Sequence, residues 1–469
     1  MTLPSTTVTP RDGGLGISRA VAGTSAKIGV CSSGTENVPV LIGSPQQAVD
    51  ELGYGPLTSA VCWHLRRSGR PVLACKAGAT TAGACSAVTQ TGGGPVVTVT
   101  VATAFDSFSV VVEITKAGAL ATAEFRYSID GGDTYAGPVL SAATYAIPNT
   151  GITIGLAAGS YVVGTTYEFT ATEPRMAVAD VQDAWAGLVG QNTYAFEFVH
   201  VLGGGANAAA TVALYSAVDT LAEAAATAQR FVFAIIESSD DTTANIIAAF
   251  AAVSSRRVVP CYGLVELAQV DGYKLERSIG WVVAARVSSL PISIDLASMS
   301  PSENAERSLI GLIAGTLTHD EDITEGMDDA GWTTLRTYND RPGIYVTNPR
   351  LKAPPGSDFT LLQYRRIMDE ACRVVRARLI DYQSSRIAVS PTTGYILERV
   401  ARRIDADVDA ELRTALLQDG HASSATFRVR RDWDILSTQT LKGETEIVPP
   451  GYPKTITADV SLINPTLAT

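Results

Sequence analysis

Between Gly78 and Glu173 the chain carries period-2 alternation and no helical period, and this segment constrains the possible folds most. The clearest runs are VVTVTV (Val96–Val101), SFSVVVEI (Ser107–Ile114), AEFRYSID (Ala123–Asp130) and TYEFTAT (Thr166–Thr172). Turn-forming residues separate them, notably Asp130-Gly131-Gly132-Asp133 and Pro148-Asn149-Thr150-Gly151. Side chains alternate across a strand, so such runs bury one face each and read as short antiparallel strands. Evenly spaced strands over about 100 residues predict a β-sandwich. The flanking sequence has a different period, so this sandwich is an insertion into another domain.

On both sides the pattern is strand–helix. Ala26–Cys31 and Pro71–Lys76 read as strands before the insertion, with a helical pattern over Ser44–Arg67 that breaks near Gly53–Pro56. After Pro174, strands are expected at Ala195–Leu202, Phe231–Glu237 and Val258–Gly263, alternating with helices over Ala208–Ala228 and Asp241–Ser255. That order predicts an α/β layer with a mainly parallel sheet. Toward the C-terminus, Gly343–Thr347 reads as a short strand bounded by turn residues. A helix is expected from Asp358, capped by Ser357, to about Asp381. Leu361, Tyr364, Met368, Cys372, Val375 and Leu379 lie on one face, and Arg365, Arg366, Arg373 and Arg376 beside it. A second helix is expected from Thr392 to Gly420, then an alternating strand from Phe427 to Ile435. A last alternation, Ile456, Ala458, Val460 and Leu462, follows Pro449-Pro450-Gly451.

The expected fold class is therefore α/β and α+β multidomain: a mixed α/β core with an inserted all-β sandwich and extended terminal arms. The boundaries are 1–20 for an N-terminal arm, 21–77 plus 174–330 for the α/β domain, 78–173 for the insert, 331–440 for a C-terminal core domain and 441–469 for a C-terminal arm. At 469 residues, several domains are expected.

Charge narrows the function classes. Lys and Arg number 36 against 47 Asp and Glu, a net charge of −11. A general nucleic-acid binder needs a basic face to displace phosphate counterions, so direct nucleic-acid binding is not expected. No stretch is apolar and long enough to span a bilayer, the Ile246–Val253 run being closed by Arg256-Arg257, and no secretory signal opens the chain. The six cysteines and four histidines form no metal-ligand spacing.

Two stretches invite a chemical reading. HVLGGGANAAAT (His200–Thr211) lies between a strand and a helix, where a dinucleotide loop would sit, but matches neither G-x-G-x-x-G nor a P-loop. HDEDITEGMDD (His319–Asp329) gathers acids without calcium-loop spacing and reads as a solvated acidic loop. No catalytic, cofactor or metal residues are expected, and no cofactor. The Arg365, Arg366, Arg373 and Arg376 stripe reads either as a solvated face or as a contact surface for an acidic partner.

These pieces together resemble the tail sheath proteins of contractile phages and related injection machines. TLRTYNDRPGIYVTNPRL (Thr334–Leu351) with GSDFTLLQYRRIMDEACRVVRARL (Gly356–Leu379) resembles the family's strand-and-helix core. RYSIDGGDTYAGPVL (Arg126–Leu140) and GSYVVGTTYEFTATEP (Gly159–Pro174) are similar to β-sandwich inserts found in one branch of it. The resemblance implies a structural, non-enzymatic subunit that polymerises with itself as stacked hexameric rings around a tail tube protein, with baseplate and tail terminator proteins as further partners. It implies a location in the virion tail after assembly in the host cytoplasm. It also implies strand exchange through the arms, here Ile456, Ala458, Val460 and Leu462, and suggests the four arginines as tube-facing. The competing reading is a cytosolic α/β enzyme with a carbohydrate-binding-like β-sandwich insert, and a third is a fibre or adhesin.

All six cysteines are expected as thiols, because their spacing forms no disulfide framework. Intact mass after alkylation under denaturing conditions should show six modified residues; a reproducible mass for an internal disulfide would contradict this.

Overall fold

In a computed structural model, residues 21–462 are described except 192, 240, 270–271, 305–325 and 339–340. The expected N-terminal arm, 1–20, lies outside them. The chain divides into two compact units, 1–370 and 371–469.

The first unit is built on a six-stranded sheet. Its first elements are β1 (Ser25–Gly29), β2 (Pro39–Ile42), α1 (Pro45–Leu52), α2 (Pro56–Ser68) and β3 (Val72–Lys76). Local chemistry sets the helix ends. Ser44 caps α1 by accepting the Gln47 N–H, and Pro45 and Pro56 stand in the first turns of α1 and α2, where a missing N–H costs nothing. Gly69 closes α2 in the left-handed region at φ 65°.

Eleven strands and no helix follow: β4 (Ala84–Cys85), β5 (Thr89–Thr91), β6 (Val97–Ala102), β7 (Phe108–Lys116), β8 (Gly118–Ala119) and β9 (Glu124–Ser128), then β10 (Ala136–Leu140), β11 (Thr144–Ile147), β12 (Ile152–Leu156), β13 (Ser160–Tyr161) and β14 (Thr166–Thr172). All their pairings are antiparallel. One sheet runs β10-β9-β7-β14-β4, with β5 also on β14, and a second runs β11-β12-β6. Val110, Val112, Phe125 and Tyr167 from the first sheet and Val97, Ile152 and Ile154 from the second share one buried core. Thr81 and Arg175 bond each other's backbone at 3.1 and 2.9 Å, so the chain enters and leaves this segment side by side.

The α/β pattern then resumes with α3 (Val178–Gly190), β15 (Phe198–Val201), α4 (Ala208–Thr227), β16 (Phe233–Glu237), α5 (Thr243–Ala249) and β17 (Val258–Cys261). Next come the hairpin β18 (Leu264–Ala268) and β19 (Lys274–Ser278), α6 (Gly280–Ser289), and the hairpin β20 (Leu335–Tyr338) and β21 (Arg341–Val346). The sheet order is β17-β16-β15-β1-β3-β2, parallel except for β2 at one edge. Both faces are covered, as a parallel sheet requires. Leu57, Val61 and Leu65 of α2 and Val283 and Val287 of α6 pack on one face, and Trp185 of α3, Tyr215 and Val218 of α4 and Ile246 of α5 on the other. Near the end of this unit, α7 (Leu362–Ile380) begins, and the division between units falls within it.

The second unit contains the rest of α7, α8 (Glu398–Leu412) with a π-helical turn over Arg413–Leu417, β22 (Ser424–Val429), the one-turn α9 (Ile435–Thr438) and β23 (Gly443–Val448), antiparallel to β22. Ala401, Ile404, Val408 and Leu412 of α8 are buried, as are Ala425, Phe427 and Val429 of β22.

Several expectations shift in detail. The α7 helix starts at Leu362 rather than Asp358, and Ser357 instead accepts the Phe359 N–H at 3.3 Å in a turn. The second expected helix is four-turn α8 plus the π-turn rather than all of Thr392–Gly420. The alternation after Phe427 ends as strand at Val429, because Asp434 caps α9 by accepting the Leu436 and Ser437 N–H groups. All six cysteines are free.

The hairpin β18–β19 ties the all-β segment to the α/β layer. Val265 and Leu267 join the core under α2 and α6, while Leu275 joins the core of the all-β segment. Beside it, Arg277 makes a two-pronged ion pair to Asp106, at 2.8 and 2.7 Å, with both residues buried. Removing one partner of a buried pair leaves the other charge uncompensated. Asp106→Ala is therefore expected to cost about 3 kcal/mol in urea unfolding, and Arg277→Met added to it should recover most of the loss. An unchanged midpoint for Asp106→Ala would show that the pair does not anchor the two parts.

Candidate functional site

Two places in the described residues carry features beyond ordinary packing. The first lies at the carboxyl ends of the parallel strands. The strand order reverses between β1 and β15, the position where doubly wound sheets open a crevice. Three buried polar side chains cross this seam. Lys27 Nζ on β1 donates to His200 Nδ1 on β15 at 2.9 Å, and His200 Nε2 faces Glu237 Oε1 on β16, also at 2.9 Å. This network assigns the His200 proton to Nε2. The other Glu237 oxygen accepts the Gly203 N–H at 2.8 Å. Behind them, His64 of α2 meets Ser25 Oγ at 3.2 Å.

Burial governs the protonation of this group. It pulls Lys27 down to about 7 against the attraction of Glu237. It pushes Glu237 up to about 7, against the Gly203 N–H, Lys27, Arg277 and a hydrogen bond from Trp281. Burial, then the charge of Lys27, holds His64 and His200 well below the usual histidine range. Both imidazoles are therefore neutral at pH 7.

The glycine run of the sequence, Gly203-Gly204-Gly205, sits in the loop between β15 and α4. Its composition follows from packing. A Cβ on Gly204 would lie 2.1 Å from the Ser238 carbonyl oxygen, and Gly203 adopts φ +74° to turn its N–H toward Glu237. Of the acidic stretch, 319–325 lies outside the described residues. Asp328 pairs with Arg350 at 2.8 Å, and Met327 is fully buried. Among the described residues no group of His, Cys, Asp and Glu is arranged to hold a metal ion.

The second place is the exposed surface of the second unit. After β23 the chain runs from Pro449 to Leu462 outside any strand. Ile456, Val460 and Leu462 are 83%, 94% and 103% exposed, and Ala458 is exposed as well. Isolated exposed apolar side chains are common, but three in one seven-residue stretch without a covering element form a sticky segment.

The expected arginine stripe divides. Arg365 and Arg366 are buried, which corrects the reading of all four as one surface face. Arg366 bonds Glu197 at 2.6 Å through Nε and donates to the carbonyl oxygens of Val287, Leu290 and Pro291. It thereby joins the start of β15 to the end of α6 and to α7. Arg365 pairs with Asp369 at 2.5 Å and lies over the Phe359 ring. Helical spacing alone could not show that these guanidinium groups have internal carboxylates waiting. Arg373 is half-buried and Arg376 exposed.

A basic face that does reach the surface is on α8. Arg399, Arg402 and Arg403, with Arg413 just past its end, are exposed on the side opposite buried Ile404 and Val408, with exposed Ala406 and Ala410 between them. Their spacing of three, four and ten residues fits one helix face at 3.6 residues per turn. The signal was present in the helix expected over Thr392–Gly420.

Residues 3–350 match the family described as DUF2586, N-terminal domain. No curated protein matches in sequence. Among solved structures, the helical sheath of the anti-feeding prophage in its contracted state is similar at a TM-score of 0.52 and 12% identity, covering 98% of this chain and 99% of that one. The contracted sheath complex of an extracellular contractile injection system, PVC, is similar at 0.53 and 9% identity, covering 98% of each chain. A sheath tail protein from Listeria innocua aligns at 0.49 and 14% identity, over 92% of this chain and 96% of that one. At these identities the likeness is one of fold, and for the anti-feeding prophage and PVC sheaths it extends over 98% of this chain. The chain thus belongs to the DUF2586 family, matching its N-terminal domain over three quarters of its length, and has the mixed α/β fold of contractile-sheath subunits.

Proposed function

We propose that this protein is a structural subunit of a contractile tail sheath. The observation that carries this reading is the agreement in fold with sheath subunits over 98% of both chains. A shared domain alone would leave function open, since folds host many activities. Agreement from end to end, including the small second unit, favours a shared mode of assembly. On this reading, subunits form stacked hexameric rings around a tail tube, joined to a baseplate and capped by terminator proteins, in a virion tail assembled in the host cytoplasm. Contraction of the polymer drives the tube through the target envelope. The work is mechanical, so no catalytic chemistry is assigned.

The surface features suit that role. We assign the segment around Ile456, Ala458, Val460 and Leu462 to strand exchange with a neighbouring subunit. Backbone hydrogen bonds would supply affinity and alternate side chains register. Val460 and Leu462 would then be covered in the polymer, relieving their exposure. The N-terminal arm, 1–20, would act in the same way. The all-β segment would be an inserted sandwich facing outward, since its entry and exit run side by side at Thr81 and Arg175. Of the original stripe, Arg373 and Arg376 remain candidates for the tube. The exposed α8 arginines are better placed for an acidic partner such as a tube, because none is committed to a buried ion pair.

Removal of everything after Pro449 is expected to leave a folded, soluble protein that forms no tubes in negative-stain images. Val460→Pro should do nearly the same by deleting one ladder donor. Contractile tubes built by the truncated protein would overturn the strand-exchange assignment.

Charge reversal at Arg399 and Arg403 should slow assembly on tubes at low salt, and the difference should shrink as salt rises, since rim charges act mainly on association rate. Equal rates for variant and parent at low salt would remove α8 from the tube contact.

A further inference from the structure

From the all-β segment the chain returns to the α/β layer through a strap, Glu173 to Met176, beside the carboxyl ends of β1 and β15. The strap and the residues Val30, Pro56, Leu202, Gly203 and Gly204 line a crevice, and every residue of the strap is partly exposed, so the crevice opens to solvent along it. Few bonds hold the strap down. The Glu173 N–H donates to Ser107 Oγ at 3.2 Å, and Arg175 exchanges backbone bonds with Thr81 at 2.9 and 3.1 Å.

Glu173 supplies the carboxyl of that lining. Its Oε1 lies 3.7 Å from where a Cβ on Gly203 would stand, and the N–H of the same glycine is committed to Glu237 at 2.8 Å. A third carboxylate, Asp106, occupies both terminal nitrogens of Arg277, at 2.8 and 2.7 Å, while Arg277 Nε is buried without a partner. Three carboxyls are thus gathered around one buried guanidinium, with Arg175 on the strap as a further cation beside Glu173. Lys27 and His200 bond toward Glu237. Carboxyls gathered this closely cannot all ionise without cost, and the proton falls to the one least supported by donors. Asp106 has its guanidinium and Glu237 has the His200 and Gly203 N–H groups, whereas among the described residues nothing donates a hydrogen bond to the Glu173 carboxyl. Burial, then the charges of Asp106 and Glu237, push Glu173 up to about 7 against the pull of Arg277 and Arg175.

We propose that Glu173 is a proton-operated latch: as the neutral acid it seats the strap over the strand ends, and on ionising it draws the strap off into solvent. The Asp106–Arg277 pair lies outside the moving piece and keeps the all-β segment anchored while the strap opens. Closing the strap takes up a proton, because the seated carboxyl holds it more tightly than a free one. Closure is therefore favoured in full below the ordinary value of 4.5, and that advantage is lost as pH rises through about 7. Lys27, pulled by burial from 10.5 down to about 7, links stability to pH only above this window. Glu237, also pushed up to about 7, titrates within it, so the test changes Glu173 alone. This inference concerns the single chain and does not depend on the polymer.

Amide hydrogen exchange in the full chain reads the latch at Thr81 and Arg175, whose N–H groups hold the strap. Corrected for the intrinsic pH dependence of exchange, protection of these two amides in the parent should fall about tenfold between pH 5 and 7. In Glu173→Gln, which stays neutral, it should remain constant over the same range. Amides of β3 and β15 should show no such fall in either protein. An equal fall in parent and variant, or no fall in the parent, would overturn the proposal. If Glu173→Gln does not fold, Glu173→Met decides, since it carries no charge and suits the apolar wall of Val30 and Leu202. Its protection at Thr81 and Arg175 must be independent of pH, and a fall like the parent's would overturn the latch.

Discussion

The parallel seam between β1 and β15 is the constraint on which the first unit depends. It joins two halves of the sheet that are far apart in sequence, Ser25 pairing with Phe198 and Ile28 with Val201. Everything from Ala77 to Glu197 must therefore leave the sheet and return to it at a fixed register. A one-residue slip would turn Lys27 and His200 out of their shared face and break the contact that links them to Glu237. Buried ionic groups are a weak source of net stability, but this set can form only in one alignment of three strands.

The same seam accounts for how a long all-β excursion is tolerated. Its two ends pair at Thr81 and Arg175, so the α/β layer meets a closed loop. Loop-closure cost grows only slowly with length, and the segment brings its own core of two antiparallel sheets. Its attachment is nonetheless specific. Leu275 enters that core from β19, and Arg277 one turn of the alternation away reaches Asp106. Motion of the all-β segment against the α/β layer would have to break a buried two-pronged ion pair, which favours the two moving together.

Arginine plays two different parts in this chain, and the difference is one of desolvation. Arg257, Arg277, Arg365 and Arg366 are buried with carboxylates within bonding distance. Their planar groups can satisfy several acceptors at once, as Arg366 does with Glu197 and three backbone carbonyls. Arg399, Arg402, Arg403 and Arg413 keep their heads in water. An exposed pair such as Arg402 with Glu398, at 2.7 Å, contributes little to stability and is free to exchange partners. Surfaces of that kind suit contacts that must form and re-form.

By itself the sequence determined the periods, and through them the elements. Alternation over Val96–Thr172 specified antiparallel strands, and the strand–helix repeat after Pro174 specified a parallel layer, because side-chain period and burial are properties of local sequence. It also showed the apolar alternation at Ile456, Ala458, Val460 and Leu462, although no strand partner covers these residues within the described chain. The tertiary structure decided which charges meet. Glu197 and Arg366 are 169 positions apart, Asp106 and Arg277 171, and Lys27 and His200 173. No local pattern distinguishes an arginine that will find a carboxylate across the core from one that will stay in solvent. That choice depends on how the sheet closes around the seam, which is why the stripe on α7 was half interior and the exposed face lay on α8.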